Sequence, residues 1–292
     1  MNNKNSLPRF IVIGAMKCGT TSLWDYLKQH PNINVPSNIK NINFFDSKSN
    51  WDKGLSFYKE HFSPQNDLQI SGEISTEYTK YPYVKDVAKN IYNTLPRVRF
   101  IYLIRNPIDR LISHYIHNVG AARENRDINE ALHEKNNNPY ILFSQYYFQL
   151  SIFLKYFDNK QFLIITTDGL KTDRDNTLAT ITSFIEAEPN NTPWVDANLH
   201  TRQSKLSWNK LGRIVRKSQK YYNYYNYYLS KLPHNQRSLI EGLLSHPIET
   251  PIINRENFEY LSDVFSHDLQ QLESQMHIKL PDWNLSFAGD IK

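Results

Sequence analysis

Six residues, Lys17-Cys-Gly-Thr-Thr-Ser22, stand directly behind the apolar run Phe10-Ile-Val-Ile13 and describe a strand that turns into a helix through a phosphate-sized loop. In such a turn the backbone N–H groups at the helix start converge on one spot. The helix dipole adds partial positive charge there, and hydroxyls and a lysine complete an anion cradle. Gly14 and Gly19 keep the glycine spacing of a Walker loop, but Thr20 stands at its lysine position and the lysine comes earlier, at Lys17. A lysine within the loop reaches toward the end of a nucleotide where a leaving oxygen would sit. Taken alone, the stretch could also be an ordinary glycine-containing strand-to-helix turn.

Apolar runs too short for helices predict strands at 10–13, 68–70, 98–104 and 162–165. Between them, helices are predicted at 20–29, with Leu23, Trp24 and Leu27 on one face, at 83–92, and at 107–118, which opens on Pro107. This alternation gives a P-loop-like α/β fold, a parallel sheet covered by helices on both faces, with ligands at the carboxyl ends of the strands. From about Asp168 the periodicity turns helical, at 177–185, 205–229, 236–244 and 258–276.

A chain of 292 residues with 40% hydrophobic content can bury a full core. One domain is expected over 1–292, with a core at about 8–187 and a helical part at about 188–285. The formal net charge of +5 favours an anionic ligand or surface; nucleic acid is not the partner expected. Cys18 is the only cysteine, so no intrachain disulfide can form, and residues 1–8 carry neither a signal core nor a membrane span. A reduced, cytoplasmic protein is expected. Within the loop, Cys18 reads as a small residue beside backbone that must approach a ligand, with no neighbouring histidine to make it a catalytic thiol.

The segment Tyr221-Tyr-Asn-Tyr-Tyr-Asn-Tyr-Tyr228 follows Lys205, Lys210, Arg213, Arg216, Lys217 and Lys220 with no acidic residue between. A basic, aromatic stretch over 205–231 offers a peripheral contact to an anionic surface, and tyrosine faces can stack on sugars. Tyrosines packed on the domain with their hydroxyls in water are the simpler expectation.

The run Val98-Arg-Phe-Ile-Tyr-Leu-Ile-Arg105 ends in arginine where a magnesium-dependent P-loop enzyme would more often carry aspartate. Arg105 offers a planar, permanently charged fork for a phosphate, and Ser113, two turns on, adds a hydroxyl. Asp109, Arg110 and His114 read as supporting pairs on the same helix, and His114 and His117 as solvent-facing residues. Asp168, ending the last strand-like run, is what a kinase reading needs: there it would hold magnesium opposite Thr21. Arg202, Ser204 and Lys205 are candidates to close over a nucleotide.

Several ordered motifs together resemble the sulfotransferase family, in particular its Golgi-type and bacterial carbohydrate branch. They are Lys17-Cys-Gly-Thr-Thr-Ser-Leu23, Phe44-Phe-Asp46, Gly72-Glu73 with Ser75 and Tyr78, and Leu103-Ile-Arg-Asn-Pro-Ile-Asp-Arg110 with Ser113-His-Tyr115. The likeness covers about residues 9–185, and Leu272-Glu273 with Pro281-Asp-Trp283 resembles the family's C-terminal helix and final tryptophan. It implies 3′-phosphoadenosine 5′-phosphosulfate (PAPS) as sulfuryl donor, no required metal, and a small-molecule or oligosaccharide acceptor. Lys17, Cys18, Gly19, Thr20, Thr21 and Ser22 would bind the 5′-phosphosulfate, Lys17 serving the leaving group, while Arg105 and Ser113 bind the 3′-phosphate.

The chain departs from that pattern where the carbohydrate branch reads Lys-Glu-x-His-Phe-Phe with glutamate as base, because here the run is Lys40-Asn-Ile-Asn-Phe-Phe45. Asn41, at the usual catalytic position, cannot take a proton, and Asn43 replaces a histidine often near the acceptor. Glu73, Asp46 and His61 are the candidate replacements, Glu73 first because it follows a predicted strand and would face the crevice. Lys40, Asn43 and Asp46 are expected on the acceptor side. A catalytically silent PAPS-binding protein is the alternative, and a P-loop kinase a further one; oligomeric state and acceptor identity stay open.

Overall fold

The computed structural model describes residues 7–286, except 65, 67, 190–192, 196–205, 210, 211, 213, 215–218, 234, 235, 237–239, 241 and 242. Arg202, Ser204, Lys205, Lys210, Arg213, Arg216 and Lys217 lie outside the described residues. The chain runs β1 (Phe10–Gly14), α1 (Thr20–Leu27), β2 (Ile33–Asn34), α2 (Gly54–Lys59), β3 (Ile70–Ile74), α3 (Val87–Thr94), β4 (Arg99–Ile104) and α4 (Pro107–Gly120). There follow α5 (Ile128–Ala131), α6 (Pro139–Leu142), α7 (Tyr146–Phe153), β5 (Phe162–Thr166), α8 (Thr167–Thr172) and α9 (Arg174–Phe184).

The five strands form one parallel sheet in the order β2-β3-β1-β4-β5, flanked by helices. Phe10, Ile11, Val12 and Ile13 are fully buried, as are Phe100 to Ile104, so the two central strands are apolar on both faces. The apolar runs therefore predict β1, β4 and β5 well. The third strand does not start at Leu68, which is exposed, but spans Ile70–Ile74, so Ser71, Gly72 and Glu73 lie inside the sheet. Gly72 pairs with Phe10 in the neighbouring strand, and a Cβ there would sit 2.0 Å from the Phe10 ring. A side chain at this register would displace the ring from the core.

The expected helix at 83–92 begins only at Val87, after Asp86 with φ 60. Expected helix from 205 is a strand at first: Leu206–Trp208 pairs antiparallel with Ser245–Pro247, and helix follows at Gln219–Leu229. On it Tyr221, Tyr224, Tyr227 and Tyr228 are more than half exposed, against the expectation that they pack on the domain. The long helix Arg255–Met276 starts three residues before the predicted 258, because the Asn254 side chain accepts from Asn257 N. Its Leu261 and Phe265 join Ile108, Leu111 and Ile116 of α4 in a second core cluster. From the same helix, buried Asp268 accepts from Tyr147 N and Phe148 N, both at 2.9 Å, and so caps the start of α7. Among the described residues, no helix is long and apolar enough to cross a membrane.

Candidate functional site

The turn after β1 is held from both sides. Gly14 leaves room for Thr79, whose Oγ1 would lie 2.1 Å from a Cβ at this position and donates to Ile13 O. Lys17 adopts φ 72, a left-handed conformation uncommon outside glycine, and Gly19 follows with φ 90 immediately before α1. The first helical bond runs from Leu23 N to Gly19 O, so the N–H groups of Thr20, Thr21 and Ser22 have no intrahelical acceptor, and no side chain caps the helix. These open donors and the helix dipole lie just past the carboxyl end of the central strand β1.

Lys40 completes this cradle rather than pointing toward an acceptor as expected. Its Nζ donates to Thr21 Oγ1 at 2.8 Å and Thr20 Oγ1 at 3.1 Å. Burial lowers its pKa to about 8, partly offset by the negative charges of Asp25 and Glu77. Cys18 is wholly buried, with its carbonyl held by Thr167 Oγ1 at 2.7 Å, and burial pushes its thiol up to about 11. It is an inert packing group, as expected from its surroundings in sequence.

A second cationic position lies at the end of β4, the neighbour of β1. Arg105 is mostly buried and bonds Asp109 Oδ2 at 2.6 Å, leaving the rest of its guanidinium for an anion. Ser113 lies on α4, two turns along, as the sequence predicts, and is buried there. The hydroxyl of Tyr146 ties the two positions together: it donates to Arg105 O at 2.9 Å, accepts from Arg105 N at 3.4 Å and lies 3.6 Å from Cys18 Sγ.

Arg110 and His114 do meet on α4, with Arg110 Nη2 and His114 Nδ1 3.4 Å apart, but in the core. Arg110 is fully buried, donating to Ser144 Oγ and Tyr140 O, and one of its terminal nitrogens, Nη1, has no partner. His114 is buried against Phe143 and beside Arg110; burial and that positive charge hold its ring neutral, far below the ordinary histidine range. The expectation of a solvent-facing His114 is thus overturned by helix α4 turning this face to the core.

The expected bases fare differently. Glu73 lies inside β3 rather than after it, is wholly buried, and accepts from Tyr58 (2.5 Å), Ser75 (2.5 Å) and Tyr78 (2.7 Å) hydroxyls. Burial raises its pKa, but no acceptor can reach it while three hydroxyls surround it. Asp46 is also buried, accepting from Ser49 Oγ, Lys48 N and Lys85 N, and organises a turn instead of an acceptor contact. His61 packs edge-on against Phe57. Asn41, at φ 65, accepts from Thr76 N at 2.9 Å and Thr76 Oγ1 at 3.0 Å. Asn43 N donates to Ser75 Oγ, and its buried Oδ1 has no partner. Asp168, needed for a kinase, opens α8 and accepts from Trp283 Nε1 at 2.9 Å.

Two residues escaped the sequence reading. Tyr146 carried no motif. Glu77 sits beyond the carboxyl end of β3 with a third of its side chain exposed, bonded through both oxygens to Lys80 Nζ at 2.6 Å. Its signal was its spacing, four residues after Glu73, which becomes informative only once β3 is known to end at Ile74.

The model of the sulfotransferase domain matches residues 7–226. The membrane-associated sulfotransferase kil1 of Dictyostelium discoideum is 35% identical over 123 residues, covering 41% of this chain and 25% of its own. Heparan sulfate glucosamine 3-O-sulfotransferase 5 of Mus musculus is 30% identical over 193 residues, covering 63% of this chain and 54% of its own. The chain thus spans about half or less of these relatives. A sulfotransferase from Alicyclobacillus acidocaldarius has the same fold, with a TM-score of 0.64 at 22% identity over 94% of this chain and 97% of that one.

Proposed function

The chain belongs to the sulfotransferase domain family, and from that premise we propose that it transfers a sulfuryl group from PAPS to a hydroxyl or amine of a carbohydrate or related metabolite. The observation that carries the reading is the pair of cationic positions at the ends of adjacent strands β1 and β4. One consists of the open N–H groups of α1 with Lys17 and Lys40, the other of Arg105 with Ser113. A nucleotide with phosphate groups at both its 5′ and 3′ ends fits two such separated positions.

When bound, PAPS supplies the activated sulfuryl group. Lys17 and the α1 N–H groups are fixed positive charge for the bridging oxygen on which charge grows as the sulfur–oxygen bond breaks. Lys40 orders the Thr20 and Thr21 hydroxyls on the same side. Arg105 holds the 3′-phosphate, restrained by Asp109 so that little side-chain entropy is lost on binding. Because the matched 3-O-sulfotransferase 5 of Mus musculus is named for heparan sulfate, a saccharide of that class is the first acceptor to test. The exposed Tyr221, Tyr224, Tyr227 and Tyr228 are candidate stacking faces for it.

The occupied Asn41 amide, bonded to Thr76, keeps a silent PAPS-binding protein as the second reading. Calorimetry with 3′-phosphoadenosine 5′-phosphate, combined with transfer from radiolabelled PAPS to desulfated heparan oligosaccharides, separates the two. Neutralising Lys17 or Arg105 is expected to weaken nucleotide binding by about 1.5–3 kcal/mol each, about 10- to 150-fold. No affinity for the nucleotide, or affinity undiminished when both are neutralised, refutes the reading; tight binding without transfer establishes the silent one.

A further inference from the structure

The usual glutamate is asparagine in this chain, yet a reaction of the proposed kind still needs a group to take the acceptor's proton. Of the carboxylates weighed for that task, Glu73 and Asp46 are buried and spent on internal hydrogen bonds. Asp25, on α1, is paired with Lys28 three residues on and makes no bond to the turn that carries Asn41 and Thr76. We propose that Glu77 is the carboxylate that accepts this proton, replacing the one lost at Asn41. The inference rests on the sulfuryl-transfer reading and names a residue of that same site.

Three observations bring Glu77 to the right place. Its neighbour Thr76 is bonded through both N–H and hydroxyl to Asn41 Oδ1, so residue 77 is pinned next to the position where the family's glutamate would stand. Lys40, seated on the Thr20 and Thr21 hydroxyls, feels the charges of Asp25 and, less strongly, of Glu77, so the Glu77 carboxylate lies within electrostatic reach of that loop. Lys80, its ion-pair partner, is largely buried, with its ammonium 5.8 Å from the centre of the Phe143 ring that stacks on His114 of α4. Glu77 combines an open flank with a fixed orientation, since a third of its side chain is exposed and both oxygens rest on Lys80.

In the step so assigned, the acceptor oxygen forms its bond to sulfur while the bond from sulfur to the bridging phosphate oxygen breaks. That oxygen keeps the electron pair, and the acceptor proton passes to the Glu77 carboxylate, still held by the Lys80 ammonium.

The test uses the full chain, radiolabelled PAPS and desulfated heparan oligosaccharide. Glu77→Gln is expected to lower kcat by about 10²- to 10⁴-fold while acceptor KM and affinity for 3′-phosphoadenosine 5′-phosphate stay within about threefold. Glu77→Ala is expected to regain turnover with added formate, which does not accelerate the unaltered protein. The inference is overturned if Glu77→Gln keeps its kcat, if nucleotide affinity falls in step with the rate, or if formate does nothing for Glu77→Ala. The last criterion decides even where the glutamine variant folds poorly. A wild-type chain that binds nucleotide and transfers nothing refutes the transfer reading and this inference together; an active wild type with an equally active glutamine variant refutes the inference alone.

Discussion

Lys40 makes the affinity for nucleotide depend on pH, with a sign that separates binding from folding. Its ammonium is held 2.8 and 3.1 Å from the hydroxyls of Thr21 and Thr20, and its pKa of about 8 reflects loss of water around the charge. Only the charged form attracts a phosphate. The ratio of charged to neutral Lys40 falls from about 10:1 at pH 7 to about 1:10 at pH 9, so the apparent Kd for 3′-phosphoadenosine 5′-phosphate should rise about tenfold over that range, about 1.4 kcal/mol. Stability moves the other way. The folded pKa lies below the ordinary value of 10.5, so between about pH 8 and 10.5 the unfolded chain binds more protons than the folded one, and this residue makes the fold more stable as pH rises. Loss of affinity above pH 8 therefore cannot be credited to unfolding at Lys40.

Calorimetry at pH 7, 8 and 9 in buffers of equal ionic strength reads this directly. In Lys40→Met, binding at pH 7 should be weaker by about 1.5–3 kcal/mol and the Lys40 contribution to the alkaline fall should vanish. Lys80 is the other amine nearby with a lowered pKa, so the methionine variant is what assigns the effect. A wild-type Kd that stays flat from pH 7 to 9, or a methionine variant with an undiminished fall, refutes the placement of Lys40 in the anion cradle.

Two further outcomes follow from buried groups. Cys18, whose thiol is wholly buried with its pKa near 11, should resist a thiol reagent at pH 8 in the native protein and react fully once the chain is unfolded in urea. Asp268 is raised to about 7 by burial against an ordinary value near 4, so the folded state holds its proton more tightly and the residue contributes stability that declines as pH rises from about 4 through 7. Urea titrations across that window should find a shallower decline in Asp268→Asn, while Asp268→Ala, which loses the bonds to Tyr147 N and Phe148 N, should cost about 1–3 kcal/mol.

The parallel sheet was legible because β1, β4 and β5 are apolar runs and because each is followed by helix-starting residues, of which Pro107 is one. What defeated the pattern at β3 is that a buried strand can be polar when its neighbours supply the partners. Ser71 meets Asn34, Glu73 meets three hydroxyls from residues 58, 75 and 78, and Gly72 yields its side-chain space to Phe10. Apart from the Ser75 and Tyr78 bonds to Glu73, those relations are not local. Likewise the strand Leu206–Trp208 depends on a partner at Ser245–Pro247, nearly forty residues on, and a helical periodicity over 205–229 carries no trace of it.

The same displacement of β3 decides how the candidate site is read. With the strand ending near residue 70, Glu73 would stand at the mouth of the crevice; with the strand ending at Ile74, Glu73 turns inward and Glu77 takes the mouth. A four-residue shift in one strand end exchanges a structural carboxylate for a chemical one. The positions of the Lys17–Ser22 loop and of Arg105 just past β4 were readable for the opposite reason, since both follow strands whose ends the apolar pattern located to within a residue. Chemistry at a sheet edge is thus only as well assigned as the strand that carries it, and the swap between residues 73 and 77 is where mutagenesis of this chain has most to decide.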